Sequence, residues 1–406
     1  MSGVHQNRNC STSESRRIRR EGLDQSNGST LLDKAPCFHG GSFFDVAGAE
    51  FGDWETSRSI ISADTLDAWF PPAPEVVEAL RENLPWILKT SPPIYCEGMV
   101  RKIAEVRGVD ARCVLPGSGS SDLIYLAFTR WLNASSRALI LDPTYGEYEH
   151  VLQNVIGCRV DRLVLSREEN YDLDTVRLLT YFKNGYDLIV LVNPNSPTGR
   201  FVPNQELETV LGLLPPSTRV WIDEAYVDYV GKDASLERFA ATRPNVVVAK
   251  SMSKVYALSG ARAAYLCACA RIVEDLKTTV PPWAVSLPAQ IAATKALDCP
   301  DYYHQRYLQT HELRTALVEQ LTAQTDIAVI SGVANFVLVH LPANGPDAAT
   351  LVERCRSRGL LIRNTSSMGS EIGPRAVRIT VEDAAANRAI VQILTESLRE
   401  LRAEAE

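Results

Sequence analysis

Lys254 stands in Ser251-Met252-Ser253-Lys254, thirty-one residues after Asp223 and eight before Arg262. A lysine amine condenses reversibly with an aldehyde. A carboxylate such as Asp223 can hold a protonated ring nitrogen, and an arginine fork beside serine hydroxyls can hold a phosphate. Aldehyde, ring nitrogen and phosphate together describe pyridoxal 5'-phosphate, so the residue set predicts an enzyme that uses this cofactor. As a nucleophile Lys254 needs its neutral amine, which burial and the nearby Arg262 charge would favour.

Further residues fit the same chemistry. Val114-Leu-Pro-Gly-Ser-Gly-Ser-Ser-Asp122 is a glycine-serine loop between a strand and a helix, so backbone N–H groups with Ser120 and Ser121 can cradle a phosphate. It lacks the spacing and acid of a dinucleotide fingerprint. Tyr145 in Asp142-Pro-Thr-Tyr-Gly-Glu-Tyr148 offers an aromatic plate for a flat ring, or simply packs at a loop start. Asn193-Pro-Asn-Ser-Pro-Thr-Gly199 reads either as a turn that stops a strand or as the source of an amide, Asn195, for a phenolic oxygen. Asp223, between Trp221-Ile222 and Ala225, would be costly to bury unpaired. Its partner is a pyridinium or a basic residue of the chain.

The elements that must position these residues follow from the apolar runs. Ala138-Leu-Ile-Leu141, Leu188-Ile-Val-Leu-Val192, Arg219-Val-Trp-Ile222 and Val246-Val-Val248 read as short strands, each followed by a loop and a helical stretch. This alternation predicts a largely parallel sheet covered on both faces, with the site beyond the strand C-termini. A proline start signal opens a helix at Glu75, and another helix is expected from Cys96 to Val106. From Pro288 one long helical pattern runs to about Thr325. Strands at 329–332, 335–339, 360–363 and 377–381, a helix over 348–358 and a terminal helix from Ala384 complete a smaller α+β domain. The expected organisation is a disordered leader (residues 1–35), an N-terminal arm (36–75), a large domain (76–287) and a small one (288–406).

At 406 residues, with 45% hydrophobic and 22% charged residues, the chain has ordinary globular composition. A net charge of −7 argues against nucleic acid or an anionic membrane as the main partner. No apolar run reaches membrane-spanning length, and the N-terminus lacks a secretory h-region. Nine scattered cysteines form no C-x-x-C pair, Cys267 and Cys269 read as alternate positions of one buried strand, and reduced thiols fit a cytoplasmic enzyme without a metal site.

From about His39 to the C-terminus these motifs resemble the fold-type I pyridoxal phosphate enzymes of the aspartate aminotransferase superfamily, and within them threonine-phosphate decarboxylase and histidinol-phosphate aminotransferase. The resemblance implies a seven-stranded, largely parallel α/β sheet and a homodimer. It implies that Lys254 joins the cofactor, Asp223 holds its ring nitrogen, Tyr145 stacks on the ring, and Asn195 and Tyr226 hold its phenolic oxygen. Ser120, Ser121, Ser251, Ser253 and Arg262 would form the phosphate cup. Arg378 would bind the substrate carboxylate, and His39 and Arg363 a phosphate or phosphonate on the substrate. His39-Gly40-Gly41, Pro282-Trp283-Ala284-Val285-Ser286 and Leu361-Ile362-Arg363 are similar to stretches of the decarboxylase branch.

Some residues depart from the pattern. Ser196 stands where the relatives have Asn, Ser91 stands where they carry a cross-subunit Tyr (Tyr95 being the nearby substitute), and Asp67 and Trp69 alter an Asn-rich substrate segment. The expected reaction is decarboxylation of a phosphorylated or phosphonate amino acid, with histidinol-phosphate-type amino transfer as the alternative. A third reading, a binding protein without turnover, predicts a lost lysine or acid, and both are present.

Overall fold

The computed structural model describes residues 41–50 and 54–405. The expected leader and His39 lie outside the described residues. In chain order the strands are β1 (Ile61–Ala63), β2 (Val114–Gly117), β3 (Arg137–Asp142), β4 (Arg159–Val164), β5 (Leu188–Val192), β6 (Arg219–Asp223), β7 (Val246–Ser251), β8 (Ala264–Cys267), β9 (Ala328–Ser331), β10 (Phe336–His340), β11 (Leu360–Asn364) and β12 (Ala376–Thr380).

Seven of them form a sheet in the order β2-β8-β7-β6-β5-β3-β4. Both ladders of β8 are antiparallel and the others in β7-β6-β5-β3-β4 are parallel, so β8 alone runs against the rest. The period of two explains why the strands read as continuous apolar runs. Leu188, Val190 and Val192 of β5 point into one core with Trp221 and Val247. Ile189 and Leu191 point into the opposite core with Ile222 and Val248. Both faces are dry because helices cover both, so neither set of positions can be polar.

The remaining five strands form a second sheet, β1-β11-β12-β10-β9. One face is packed by Leu317 and Leu321 of helix Pro300–Gln324, Leu351 of Ala348–Arg356, and Ile390 and Leu394 of Ala384–Ala403. The strand β1 was not expected. Its three residues pair in parallel with Leu360–Ile362, and that pairing brings the segment after Ala63 to the site.

Two further elements differ from the sequence reading. The long pattern from Pro288 is two helices, Leu287–Leu297 and Pro300–Gln324, because Pro300 cannot continue the first and starts the second. Cys267 closes β8, whereas Cys269 lies beyond it as the cap of helix Ala270–Lys277. Among the described residues no helix is long and apolar enough to cross a membrane.

Candidate active site

The ends of β2, β3, β6 and β7 converge on one cavity of about 340 Å³, whose lining includes Ser120, Ser121, Tyr145, Asp223, Tyr226, Ser251, Lys254, Arg262 and Arg378. The lining also takes in Asp64, Thr65 and Leu66, carried there by β1. Residues spread over more than 250 positions thus meet at the strand termini that the alternating pattern singles out.

Asp223 ends β6 and is 6% exposed. Its Oδ2 accepts a hydrogen bond from the Tyr148 hydroxyl at 2.7 Å, and its Oδ1 accepts one from the Ala225 amide at 3.0 Å. Tyr148 in turn accepts from Trp221 Nε1 at 3.0 Å, so the carboxylate is fixed by a short chain of donors. No lysine, arginine or histidine pairs with it among the described residues. Burial pushes its pKa upward against the bonds from Tyr148 and Ala225, as expected of a carboxylate that lacks a cation. A buried acid held in place but left without a counter-charge fits a protonated ring nitrogen.

Lys254 follows β7 on the short helix Met252–Val255, capped by Ser251, whose Oγ accepts from the Ser253 amide at 3.3 Å. Its Nζ lies 2.9 Å from Asp67 Oδ1, a partner that the sequence reading assigned only to the shape and charge of the pocket. Ser259 donates to the same oxygen at 2.6 Å. Burial raises the Asp67 pKa, but the Lys254 charge and the bonds from Ser259 and Lys254 outweigh it and hold the carboxyl below its ordinary value.

A phosphate would meet the N-terminus of the 12-residue helix Ser120–Trp131 and the guanidinium of Arg262. Gly119, at φ 98°, is required there: a Cβ would stand 2.3 Å from Arg262 Nη2. Arg262 itself donates to Ser253 Oγ at 3.4 Å and to the Ser259 carbonyl at 3.1 Å, which leaves its fork without a carboxylate among the described residues. Backbone N–H groups, hydroxyls and an arginine suit an anion. The Ser121 hydroxyl is an exception, because it donates to Glu147 Oε2 at 2.9 Å. Glu147 also accepts from Tyr145 at 2.7 Å, and burial together with that carboxylate pushes the Tyr145 hydroxyl pKa well up.

Arg378, on β12, is 6% exposed. Its Nη1 donates to Ser196 Oγ at 2.9 Å and its Nη2 to the Asp64 carbonyl at 3.2 Å, while its Nε has no partner among the described residues. Burial, with the Arg363 charge beside it, lowers its pKa to about 10. A buried guanidinium bonded only to neutral oxygens fits an incoming carboxylate. Arg363 faces Arg378 across the β11–β12 ladder and is buried, but it is not among the described side chains that line the cavity.

Asn195 is not brought into the lining either. Its amide donates to the Pro143 carbonyl at 3.0 Å and to Thr198 Oγ1 at 3.3 Å, which ties the loops after β3 and β5 together. Tyr226 does line the cavity, edge-on to Phe336, and its hydroxyl has no hydrogen-bond partner among the described residues. The expected substrate arm begins with His39 and Gly40, outside the described residues. Its continuation is anchored, since the Asp64 carboxylate accepts from the amides of Gly41 and Ser42 at 3.1 and 3.0 Å. Asp64, Tyr148 and Glu147 are the site residues that sequence reasoning missed, and of Asp67 it missed the bond to Lys254. Only Glu147 and Tyr148 carried a local signal, through their place in the Tyr145 motif.

The chain is 29% identical over 350 residues to a histidinol-phosphate aminotransferase of Rhodopseudomonas palustris (strain BisB18), covering 84% of this chain and 92% of the relative. Its fold is shared with the histidinol-phosphate aminotransferase of Sinorhizobium meliloti solved with pyridoxal-5'-phosphate (TM-score 0.75, 24% identity, 84% and 91% of the two chains). It is shared too with L-threonine-O-3-phosphate decarboxylase of Porphyromonas gingivalis (TM-score 0.73, 23% identity, 84% and 100%). Residues 64–398 match the family described as Aminotransferase class I and II, and the chain therefore belongs to that family.

Proposed function

We propose that this chain is a pyridoxal 5'-phosphate-dependent aminotransferase acting on an amine that carries a phosphate, of the histidinol-phosphate type. The observation that carries the reading is the buried Asp223 without a cation, sharing one cavity with Lys254 and with the carboxylate-free Arg378. When bound, the cofactor supplies an electron sink for the bond broken at the substrate α-carbon. Lys254 would hold the cofactor through its amine and would carry the proton to and from that carbon. Asp223 would keep the ring nitrogen protonated, Tyr145 would offer an aromatic face to the ring, and Tyr226 would donate to the phenolic oxygen. Ser120, the backbone of Ser121, Ser251, Ser253 and Arg262 hold the phosphate. The guanidinium of Arg378, bonded only to neutral oxygens, would receive the carboxylate of the amino-acid or keto-acid partner, and Arg363 with His39 is assigned to the phosphate of the substrate.

Amino transfer and decarboxylation differ in which bond at the substrate α-carbon is broken, a choice that the orientation given to the substrate by Arg378 would decide. The sequence motifs weighted decarboxylation first. The named curated relative and the family description favour amino transfer, and the decarboxylase keeps a place through shared fold alone. A homodimer is proposed by analogy, supported by the exposure of Ile94 and Trp283, which a backbone hydrogen bond joins. The free cysteines among the described residues suit a reducing, cytoplasmic setting.

The test supplies the purified protein with cofactor, then with histidinol phosphate or threonine phosphate, each with and without a keto acid. Visible absorbance that borohydride removes, followed by keto-acid-dependent amino transfer, is expected. CO2 release without a keto acid would move the chain to the decarboxylases.

A further inference from the structure

We infer that Asp67 is a positioning residue for Lys254: its carboxylate holds the Nζ amine whenever that amine is not covalently engaged, and so governs how readily the lysine can attack. The inference deepens the proposed function and rests on its reading of Lys254 as the cofactor-bearing lysine.

The pair is direct, with Nζ and Oδ1 2.9 Å apart. Nothing in the sequence connects them, since they lie 187 positions apart. Asp67 does not drift as a surface acid would, because its backbone is clamped on both sides. Ala63 is held by Thr380 Oγ1 on its carbonyl at 3.1 Å, and Asp64 by Arg378 on its carbonyl. The buried Asn335 amide donates to the carbonyls of Leu66 and Asp67 at 3.1 and 3.3 Å, and Trp69 Nε1 donates to Thr310 at 2.9 Å. Ser259, itself bonded to the Ser253 carbonyl, fixes the carboxylate from the lysine's own loop.

The other charges and titratable groups facing the pair are few. Arg262 stands on the loop after Lys254, Asp223 and Tyr226 lie across the cavity, and Glu382, beyond β12, feels the Asp67 charge. Attack by Lys254 on a carbonyl uses the amine lone pair to form a nitrogen–carbon bond as the carbonyl π pair moves onto oxygen. The ammonium must therefore first leave Asp67 and give its proton to water. An ion pair at this distance holds Nζ away from an incoming carbonyl and slows that release. Lys254 and Asp67 side chains are 24% and 54% exposed, so solvent screens the pair and its effect is a modest factor rather than a block.

The experiment labels the full chain, freed of cofactor, with an acetylating ester and follows Lys254 by peptide mass spectrometry, with the exposed Lys232 as internal control. Asp67→Asn should speed labelling of Lys254 about two- to five-fold relative to the parent. Asp67→Glu, which keeps the charge, should restore slow labelling. High salt should accelerate the parent and leave Asp67→Asn unchanged. Labelling of Asp67→Asn at the parent's rate would overturn the inference, and so would an Asp67→Glu variant as fast as Asp67→Asn, which would mean loosened structure and not lost charge. Growth of visible absorbance on adding cofactor is read in parallel. A parent that stays colourless would sink the cofactor reading, whereas unchanged labelling sinks only the role of Asp67.

Discussion

Lys250 and Lys254 stand four residues apart around the end of β7 and meet opposite fates. Lys250 is 1% exposed and lies 2.7 Å from Asp228 and 3.7 Å from Glu224. Asp228 also takes Arg107 at 3.0 Å, and Arg107 donates to the hydroxyls of Tyr256 and Tyr265, each at 3.0 Å. Every charge in that network has an opposite charge beside it. Burial alone would raise the Asp228 pKa, yet Arg107 and Lys250 hold it far below the ordinary carboxylate value. Across the same strand ends, Asp223 and Arg378 are as deeply buried and have no counter-ion among the described residues. Buried charges cost free energy unless paired, so one set is complete as folded while the other stays costly until something binds. The difference teaches where to look for ligands: at the isolated charges, not the numerous ones.

The two lysines allow the comparison to be broken from either side. Lys254→Ala should abolish cofactor attachment and lower turnover by about 10⁴-fold or more, while leaving the denaturation midpoint near the parent's. Residual visible absorbance that borohydride removes would show that another amine does the work. Lys250→Ala should do the reverse. Removing one partner from a buried network costs about 3–5 kcal/mol, here because Glu224 loses its cation and Asp228 is left with Arg107 alone. Urea unfolding should report that loss, and the folded fraction should still take up cofactor. A Lys250→Ala protein as stable as the parent would mean that the network is not what steadies the strand ends.

These two roles differ in how legible they were. Lys254 and Asp223 announce themselves because each sits at the end of an apolar strand, and strand, loop and chemistry are neighbours in sequence. Four strands of that sheet, β3, β5, β6 and β7, were readable for the same reason, as runs such as Leu188–Val192 leave no polar face to expose, whereas the count of seven came from the family resemblance. Partner choice was not readable. Asp67 reaches Lys254 only because β1, three residues long, pairs with β11 some 300 positions away, and no local period marks so short a strand. Asn195 shows the limit from the other side. Its motif was visible, but the direction of its amide depends on Pro143 and Thr198, whose carbonyl and hydroxyl compete for it. Ser121 likewise sits in the expected loop, and its hydroxyl is taken by Glu147 from the turn after β3.

The smallest effect concerns the member of the paired network that is least well served. Burial pushes the Glu224 pKa up to about 7, against the opposing pull of Lys250 and of bonds from Ser235 and the Leu236 amide. In the unfolded chain the same carboxyl titrates near 4.5, so between pH 4.5 and about 7 the folded state holds more protons than the unfolded one. Stability should therefore fall as pH rises through that window, and the penalty should be complete above pH 7. Asp228 acts with the opposite sign and elsewhere: its carboxyl is held below its ordinary 3.8, so its contribution is present above that value and is lost only on further acidification. Glu224→Gln removes the titration while keeping the shape. The parent's stability should then decline relative to the variant's as urea unfolding is followed across the window, with the two curves diverging by about 3 kcal/mol. Parallel curves would mean that Glu224 stays ionised throughout, and that the network beneath the site is charged to completion.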